Sequence, residues 1–163
     1  MIEGPVEILL VEDNPDDVDL ALNALERYHV ANRIHIVRDG AEALDYMFAR
    51  GAYAHRDVNH TPRVVLLDLK LPLVDGLEVL RQLKADPRTQ PVPVVVMTAS
   101  REERDIVESY RLGVNSYIVK PVDFEQFTEA MRTIGLYWLL LNELPLPLHR
   151  FDDNRHDDPA DAT

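Results

Sequence analysis

Glu12, Asp13, Asp68, Thr98 and Lys120 each stand where a short apolar run ends: after Ile8–Val11, after Val64–Leu67, after Val94–Met97 and after Tyr117–Val119. An ionised carboxylate is a nucleophile, a hydroxyl and an ammonium steady charge on oxygen, and clustered carboxylates hold a hard cation; together these groups suit phosphoryl transfer. Short apolar runs of this kind read as buried parallel strands. In an open α/β sheet, ligands bind beyond the carboxyl ends of the strands, so residues far apart in the chain would meet in one crevice.

Each residue also has a plainer reading. Asp68 is followed by Leu69, well before the next helix begins near Gly76, so helix capping does not account for it. A buried carboxylate there needs a cation partner. Asp13 or Asn14 could simply cap a helix that starts at Pro15. Glu12 and Asp13 beside Asp68 would nevertheless gather three negative charges, which a hard divalent ion such as Mg²⁺ relieves. A strand-end lysine is usually solvated, but Lys120 precedes Pro121, and an X-Pro bond in the cis form would aim it inward. Thr98 could hydrogen-bond its own turn, while the small Ala99 and Ser100 leave room for a phosphoryl group.

Five alternations of strand and helix must position these groups. The strands are expected near Val6–Val11, Arg33–Val37, Val64–Leu67, Val92–Met97 and Ser116–Val119. Helices are expected near Pro15–Arg27, Gly40–Ala49, Gly76–Ala85, Arg101–Leu112 and Phe124–Asn142, with Gly113 stopping the fourth and Asp123 capping the fifth. This pattern predicts a doubly wound, five-stranded parallel sheet of flavodoxin-like order 2-1-3-4-5 with helices on both faces. The second strand ends in Arg38-Asp39-Gly40 without comparable chemistry, as suits an edge strand away from the switch point between strands one and three. Arg50–Pro62 makes a 13-residue connection without periodicity, against typical loops of about 4–6 residues. It leads into a strand's amino end and so should lie opposite the crevice.

The 163 residues fit one domain over 1–142, followed by an extension over 143–163 that begins as an apolar Leu/Pro arm and ends Asp-rich. The 46% hydrophobic content excludes a disordered chain, and the absence of cysteine excludes disulfides and thiolate chemistry. No apolar stretch reaches the roughly 20 residues of a membrane span, and the amino terminus lacks a secretory pattern. A cytoplasmic protein without a membrane role is expected. Seventeen basic against 29 acidic residues, net −12, argue against nucleic acid as a partner. Arg101, Arg104 and Arg111 are interleaved with Glu102, Glu103, Asp105 and Glu108, which reads as a solvated helix face.

Leu10-Val11-Glu12-Asp13-Asn14, Leu67-Asp68-Leu69-Lys70-Leu71-Pro72 with Asp75-Gly76, Met97-Thr98-Ala99 and Tyr117-Ile118-Val119-Lys120-Pro121, in this order over residues 6–135, resemble the response-regulator receiver domain of two-component signalling. The long loop and the Leu136-Tyr137-Trp138 segment with its Pro/Leu tail further resemble single-domain receivers paired with bacterial phytochrome histidine kinases. The resemblance implies that Asp68 accepts a phosphoryl group from a sensor histidine kinase. It implies Mg²⁺ held by Asp13, Asp68 and the backbone carbonyl of Lys70, with Glu12 acting mainly through metal-bound water. Lys120 would pair with the phosphoryl group, Thr98 would hydrogen-bond it, and Tyr117 would follow Thr98 as an aromatic switch, with a half-buried strand tyrosine as the plainer alternative. The Lys70 side chain would influence phosphoryl lifetime.

Two rival functions use similar parts. An aspartyl-nucleophile phosphohydrolase would usually carry a second aspartate where Lys70 stands, and a phosphorylation-independent scaffold would be expected to have lost part of the cluster. The expected protein is therefore a phosphoacceptor and not an enzyme in its own right, although it could lose its phosphoryl group by itself. The apolar run Leu136–Leu141 and the arm residues Leu144, Leu146, Leu148 and Phe151 suggest a homodimer built from the fifth helix and the arm.

Overall fold

Four consecutive buried residues form β1 (Ile8–Val11), four form β3 (Val64–Leu67) and five form β4 (Val94–Thr98), as befits strands covered on both faces. The edge strands β2 (Ile34–Val37) and β5 (Ser116–Val119) are only partly buried. The sheet is wholly parallel in the order β2-β1-β3-β4-β5. Among the described residues, α1 (Pro15–Glu26), α2 (Gly40–Met47), α3 (Gly76–Ala85) and α4 (Glu103–Arg111) connect successive strands, and α5 (Phe124–Thr133) follows β5. The computed structural model describes residues 6–26, 34–121 and 123–133. The segment proposed for dimerisation and the domain boundary at 142 lie outside these residues.

Strand alternation divides the core into two layers. Leu9, Val11, Val65, Leu67, Val94 and Val96 pack with residues of α2 and α3 on one face. Ile8, Leu10, Val64, Leu66, Val95, Met97 and Ile118 pack with Val18 and Leu25 of α1 and with Phe127 and Ala130 of α5 on the other. Helix α4 belongs to neither layer in the usual way. Its buried side chains are Asp105 and Ser109, while Val107 and Tyr110 are exposed. Asp105 ties its inner face to the loop after β4 by accepting the Ser100 hydroxyl, while the buried Ser109 hydroxyl has no hydrogen-bond partner among the described residues.

Several local signals behave as expected. The Asp123 side chain accepts the Gln126 N–H at 2.7 Å, and Gly113 follows α4 at a φ of +101° that glycine tolerates. Three boundaries shift for identifiable reasons. β4 begins at Val94 because Pro93 has no N–H for the ladder, although its carbonyl still accepts from Val65. α2 stops at Met47, just before Ala49 adopts a left-handed φ of 52°. α4 starts at Glu103 rather than Arg101 because Glu102 is extended, with ψ 127°.

The Arg50–Pro62 connection holds a short 3-10 turn at Gly51–Tyr53, which its sequence did not disclose. Arg56 ties it to the domain, with its guanidinium over the Tyr46 ring at 3.6 Å and donating to the Tyr46 and His60 carbonyls. With Val6, Glu7 and Arg63 it lines a hollow at the amino end of the sheet, opposite the crevice.

Candidate functional site

Strand register and side-chain alternation assemble the crevice. Val11 lies opposite Leu67, so Glu12 and Asp68 leave neighbouring strands side by side. Each continues the alternation of the α1/α5 face, Glu12 after Leu10 and Asp68 after Leu66. Lys120 follows Ile118 on that same face. Three chain segments thus aim two carboxylates and an ammonium at one point. Gly76 fits this tightly because a β-carbon there would stand 2.2 Å from the Asp68 carbonyl oxygen. Only glycine lets α3 begin so close to the backbone that carries Asp68.

The Lys120 ammonium donates to Glu12 Oε2 at 2.5 Å, to Asp17 Oδ2 at 2.8 Å and to Asp68 Oδ2 at 3.0 Å. Its three N–H groups are therefore all engaged. The Lys120–Pro121 peptide is cis. Glu12, Asp13 and Asp68 each offer a carboxylate oxygen, and these oxygens lie within 4.8 Å of one another. Burial, reinforced by the Asp68 charge and opposed by the Lys120 hydrogen bond, pushes Glu12 up to about 7. Burial alone would lower Lys120, but hydrogen bonds to the three carboxylates outweigh it and hold its pKa above the ordinary lysine value. The crowd of negative charge exceeds what one ammonium balances. A hard divalent cation fits this all-oxygen donor set.

The helix-capping reading of Asp13 does not hold. Asn14 is the cap, since its Oδ1 accepts from Asp16 N at 2.9 Å and Asp17 N at 3.4 Å. Asp13 is left exposed at the rim. The Asn14 N–H is taken by Glu12 Oε1 at 3.2 Å, which fixes the carboxylate from the other side.

Thr98 is fully buried, and its hydroxyl accepts the Ser100 N–H at 3.4 Å, the local turn contact that was its plainer reading. Its carbonyl accepts the Lys120 N–H at 2.8 Å. Tyr117 is half-buried, and its hydroxyl donates to the Ser100 carbonyl at 2.9 Å, tying β5 to the loop after Thr98. The Lys70 N–H donates to Asp68 Oδ1 at 3.2 Å, while its ammonium stands 3.6 Å from Asp105 Oδ2.

Two acids went unrecognised in the sequence. Asp105, assigned above to a solvated face, is only 5% exposed and accepts the Ser100 hydroxyl at 2.5 Å. One turn of helix aims it back at the crevice, and the surrounding charged residues mask that. Asp17 is an acid in the first turn of α1, an ordinary place for one, and nothing in its sequence neighbourhood marks it. An acidic residue three places after a cap often reaches back to the cap's own N–H; here Glu12 occupies that N–H, and Asp17 turns to Lys120 instead.

Residues 8–132 match the family model described as the response regulator receiver domain. Among known proteins, the chain is 44% identical to the probable methanogenesis regulatory protein FilR2 of Methanothrix harundinacea, covering 89% of this chain and 91% of that one. It is 36% identical to the response regulator Rcp1 of Synechocystis sp. over 86% and 94% of the two chains. The bacteriophytochrome response regulator AtBRR superposes with a TM-score of 0.74 at 54% identity, covering 86% of this chain and 99% of that one. A Mn²⁺-bound structure of Rcp1 superposes with a TM-score of 0.67 at 33% identity over 90% and 96% of the chains. This chain, with its acidic crevice at the switch point of a 2-1-3-4-5 sheet, belongs to the response-regulator receiver family of phosphoacceptor signalling proteins.

Proposed function

We propose that Asp68 is the phosphoacceptor and that the chain receives its phosphoryl group from a sensor histidine kinase of the phytochrome type. The observation that carries this reading is the Asp68 carboxylate, buried at a strand end and 3.0 Å from the Lys120 ammonium. A bond forms between an Asp68 carboxylate oxygen and phosphorus as the P–N bond of the donor phosphohistidine breaks, and the imidazole leaves. An ionised carboxylate needs no general base for this step. Catalysis is positioning and charge stabilisation.

Asp13, Asp68 and the Lys70 carbonyl would hold Mg²⁺, with Glu12 acting through its water. When bound, the ion supplies neutralising charge at the phosphoryl oxygens. The chain's own residues do the rest. Lys120 pairs with a phosphoryl oxygen, and the Lys70 N–H holds one Asp68 oxygen in place. Thr98 exchanges its turn contact for the phosphoryl group, and the Tyr117–Ser100 bond carries that change to β5. The Lys70 side chain adjusts phosphoryl lifetime. The phytochrome assignment draws on the bacteriophytochrome regulator at 54% identity, the expectation of a divalent cation on the Mn²⁺-bound Rcp1, and the choice of Mg²⁺ on its preference for carboxylate and carbonyl oxygens.

The receiver would extend to residue 142 and pair with a second copy through the fifth helix and the 143–163 arm, acting in the cytoplasm through protein contacts rather than nucleic acid or membrane. Sedimentation of the full chain against a version ending at Asn142 checks the pairing; equal dimerisation of the two would rule out the arm. The phosphoacceptor assignment is tested by mass spectrometry after incubation with acetyl phosphate and Mg²⁺. Wild type gains one phosphoryl mass and Asp68→Asn gains none. Equal labelling would overturn the assignment.

A further inference from the structure

Three carboxylates hold Lys120, and one of them does not come from a strand end. Glu12 and Asp68 come from strand ends, but Asp17 reaches the ammonium from the first turn of α1, at 2.8 Å and with its side chain 28% exposed. Asp17 lies on the same helical stripe as Ala21 and Ala24, four and seven residues on. All three line a hollow between α1 and α5 together with Leu20, Lys120 and Phe127. Asp13 and Lys70 instead line a separate cleft with Asp105 on the other side of the cluster. Asp17 therefore draws the ammonium towards the helical side, away from the cleft that Asp13 and Lys70 share.

We infer that Asp17 is a positioning residue that competes with the incoming phosphoryl group for Lys120. The inference rests on the reading of Asp68 as phosphoacceptor and of Lys120 as the phosphoryl's counter-charge. In the resting protein the three N–H groups of Lys120 are committed to three carboxylates, so a phosphoryl oxygen must take one over. The bond to Asp17 is the one whose loss leaves both strand-end carboxylates paired. Asp17 also adds a negative charge at a site that an anionic phosphodonor must enter, and this repulsion slows the same step. Both effects point one way: Asp17 restrains phosphorylation, and its release when Lys120 turns to the phosphoryl group frees the first turn of α1. Its position after the Asn14 cap permits this role, because the cap uses the Asp17 backbone N–H and leaves its carboxylate uninvolved.

The test measures labelling by acetyl phosphate at saturating Mg²⁺, where the Asp68–phosphorus bond forms, the acetyl phosphate P–O bond breaks and acetate leaves. Asp17→Asn keeps the shape and a hydrogen-bond acceptor but removes the charge; it should label roughly 3- to 10-fold faster than wild type. Asp17→Glu restores a carboxylate within reach of Lys120 and should return the rate to that of wild type. A purely structural role would lower the melting temperature of both variants without accelerating either. Asp17→Asn labelling no faster than wild type, or Asp17→Glu labelling as fast as Asp17→Asn, would overturn the inference. Asp68→Asn is run alongside. If it stays unlabelled while Asp17→Asn is not accelerated, only the role of Asp17 fails; if it labels, the phosphoacceptor reading itself fails.

Discussion

Two clusters of polar side chains are packed into this domain, and they differ in whether their charges cancel. Around β2, α2 and the long loop, His35 stacks on Tyr46 at 4.6 Å, and Tyr53 meets both rings edge-on. The Tyr53 hydroxyl donates to Glu42 at 2.7 Å and lies 2.9 Å from His35 Nε2. Arg56 covers the Tyr46 ring. One acid, one base and neutral rings leave nothing over. At the carboxyl end of the sheet, Glu12, Asp17 and Asp68 share the Lys120 ammonium, and Asp13 adds a further carboxylate beside Glu12 and Asp68. The first cluster fastens a loop. The second stores unbalanced charge, which a cation and a phosphoryl group then engage.

The largest effect is expected from removing the Lys120 ammonium. Lys120→Met leaves Glu12 and Asp68 buried without their cation, and breaking a buried pair in this way costs about 3 kcal/mol. Urea melts should show that loss in metal-free buffer and a partial recovery with Mg²⁺, together with a drop in acetyl phosphate labelling. Unchanged stability would mean that the carboxylates are solvated and the imbalance is nominal.

Removing a negative charge should act in the opposite sense. Asp13→Asn relieves repulsion in the metal-free protein and so raises its melting temperature. It also removes a carboxylate expected to touch the ion. Losing even an outer-shell partner of a bound metal costs roughly 10–100-fold in affinity, so the loss here should be at least that large. A metal titration and a melt without Mg²⁺ read the two halves separately. Unchanged affinity would remove Asp13 from the metal site.

These two outcomes bear on how far the sequence discloses such a site. Glu12, Asp68 and Lys120 were legible because each ends an apolar strand run, and a period of two places all three on one sheet face. The sheet order was legible because buried runs and helical stretches alternate, and because the second strand carries no chemistry. Asp17 and Asp105 were not legible, since acids in a first helical turn are ordinary and both sit among other charges. What singles them out is tertiary: Asp17 meets a lysine 103 positions away, and Asp105 meets Ser100 beneath a helix with no apolar inner face. The 3-10 turn at Gly51–Tyr53 escaped for a similar reason. Its anchor is the pairing of Tyr53 with His35 and Glu42 across the fold, and the local sequence Arg50-Gly51-Ala52-Tyr53-Ala54 shows no periodicity.

The smallest effect is expected at the balanced cluster. If Tyr53 gives its one hydroxyl proton to Glu42, then His35 must donate from Nε2 to the Tyr53 oxygen, which the neutral ring does as well as the charged one. Burial is the larger influence on His35 and lowers its pKa; Glu42 opposes this and Arg56 adds to it. A histidine with a lowered folded pKa binds protons less readily folded than unfolded, so its contribution to stability is present above the unfolded value of about 6.5 and is lost as pH falls below it. Wild type should therefore lose stability between pH 7 and 5 more steeply than His35→Gln, whose side chain does not titrate. Because the difference is taken between two chains sharing every other titrating group, Glu12 included, the crevice cancels from it. Both chains should take up phosphoryl from acetyl phosphate at equal rates at pH 7.5, since the loop cluster touches none of the crevice residues. Parallel pH profiles would place His35 in solvent contact, and a changed labelling rate would show that the two clusters are coupled after all.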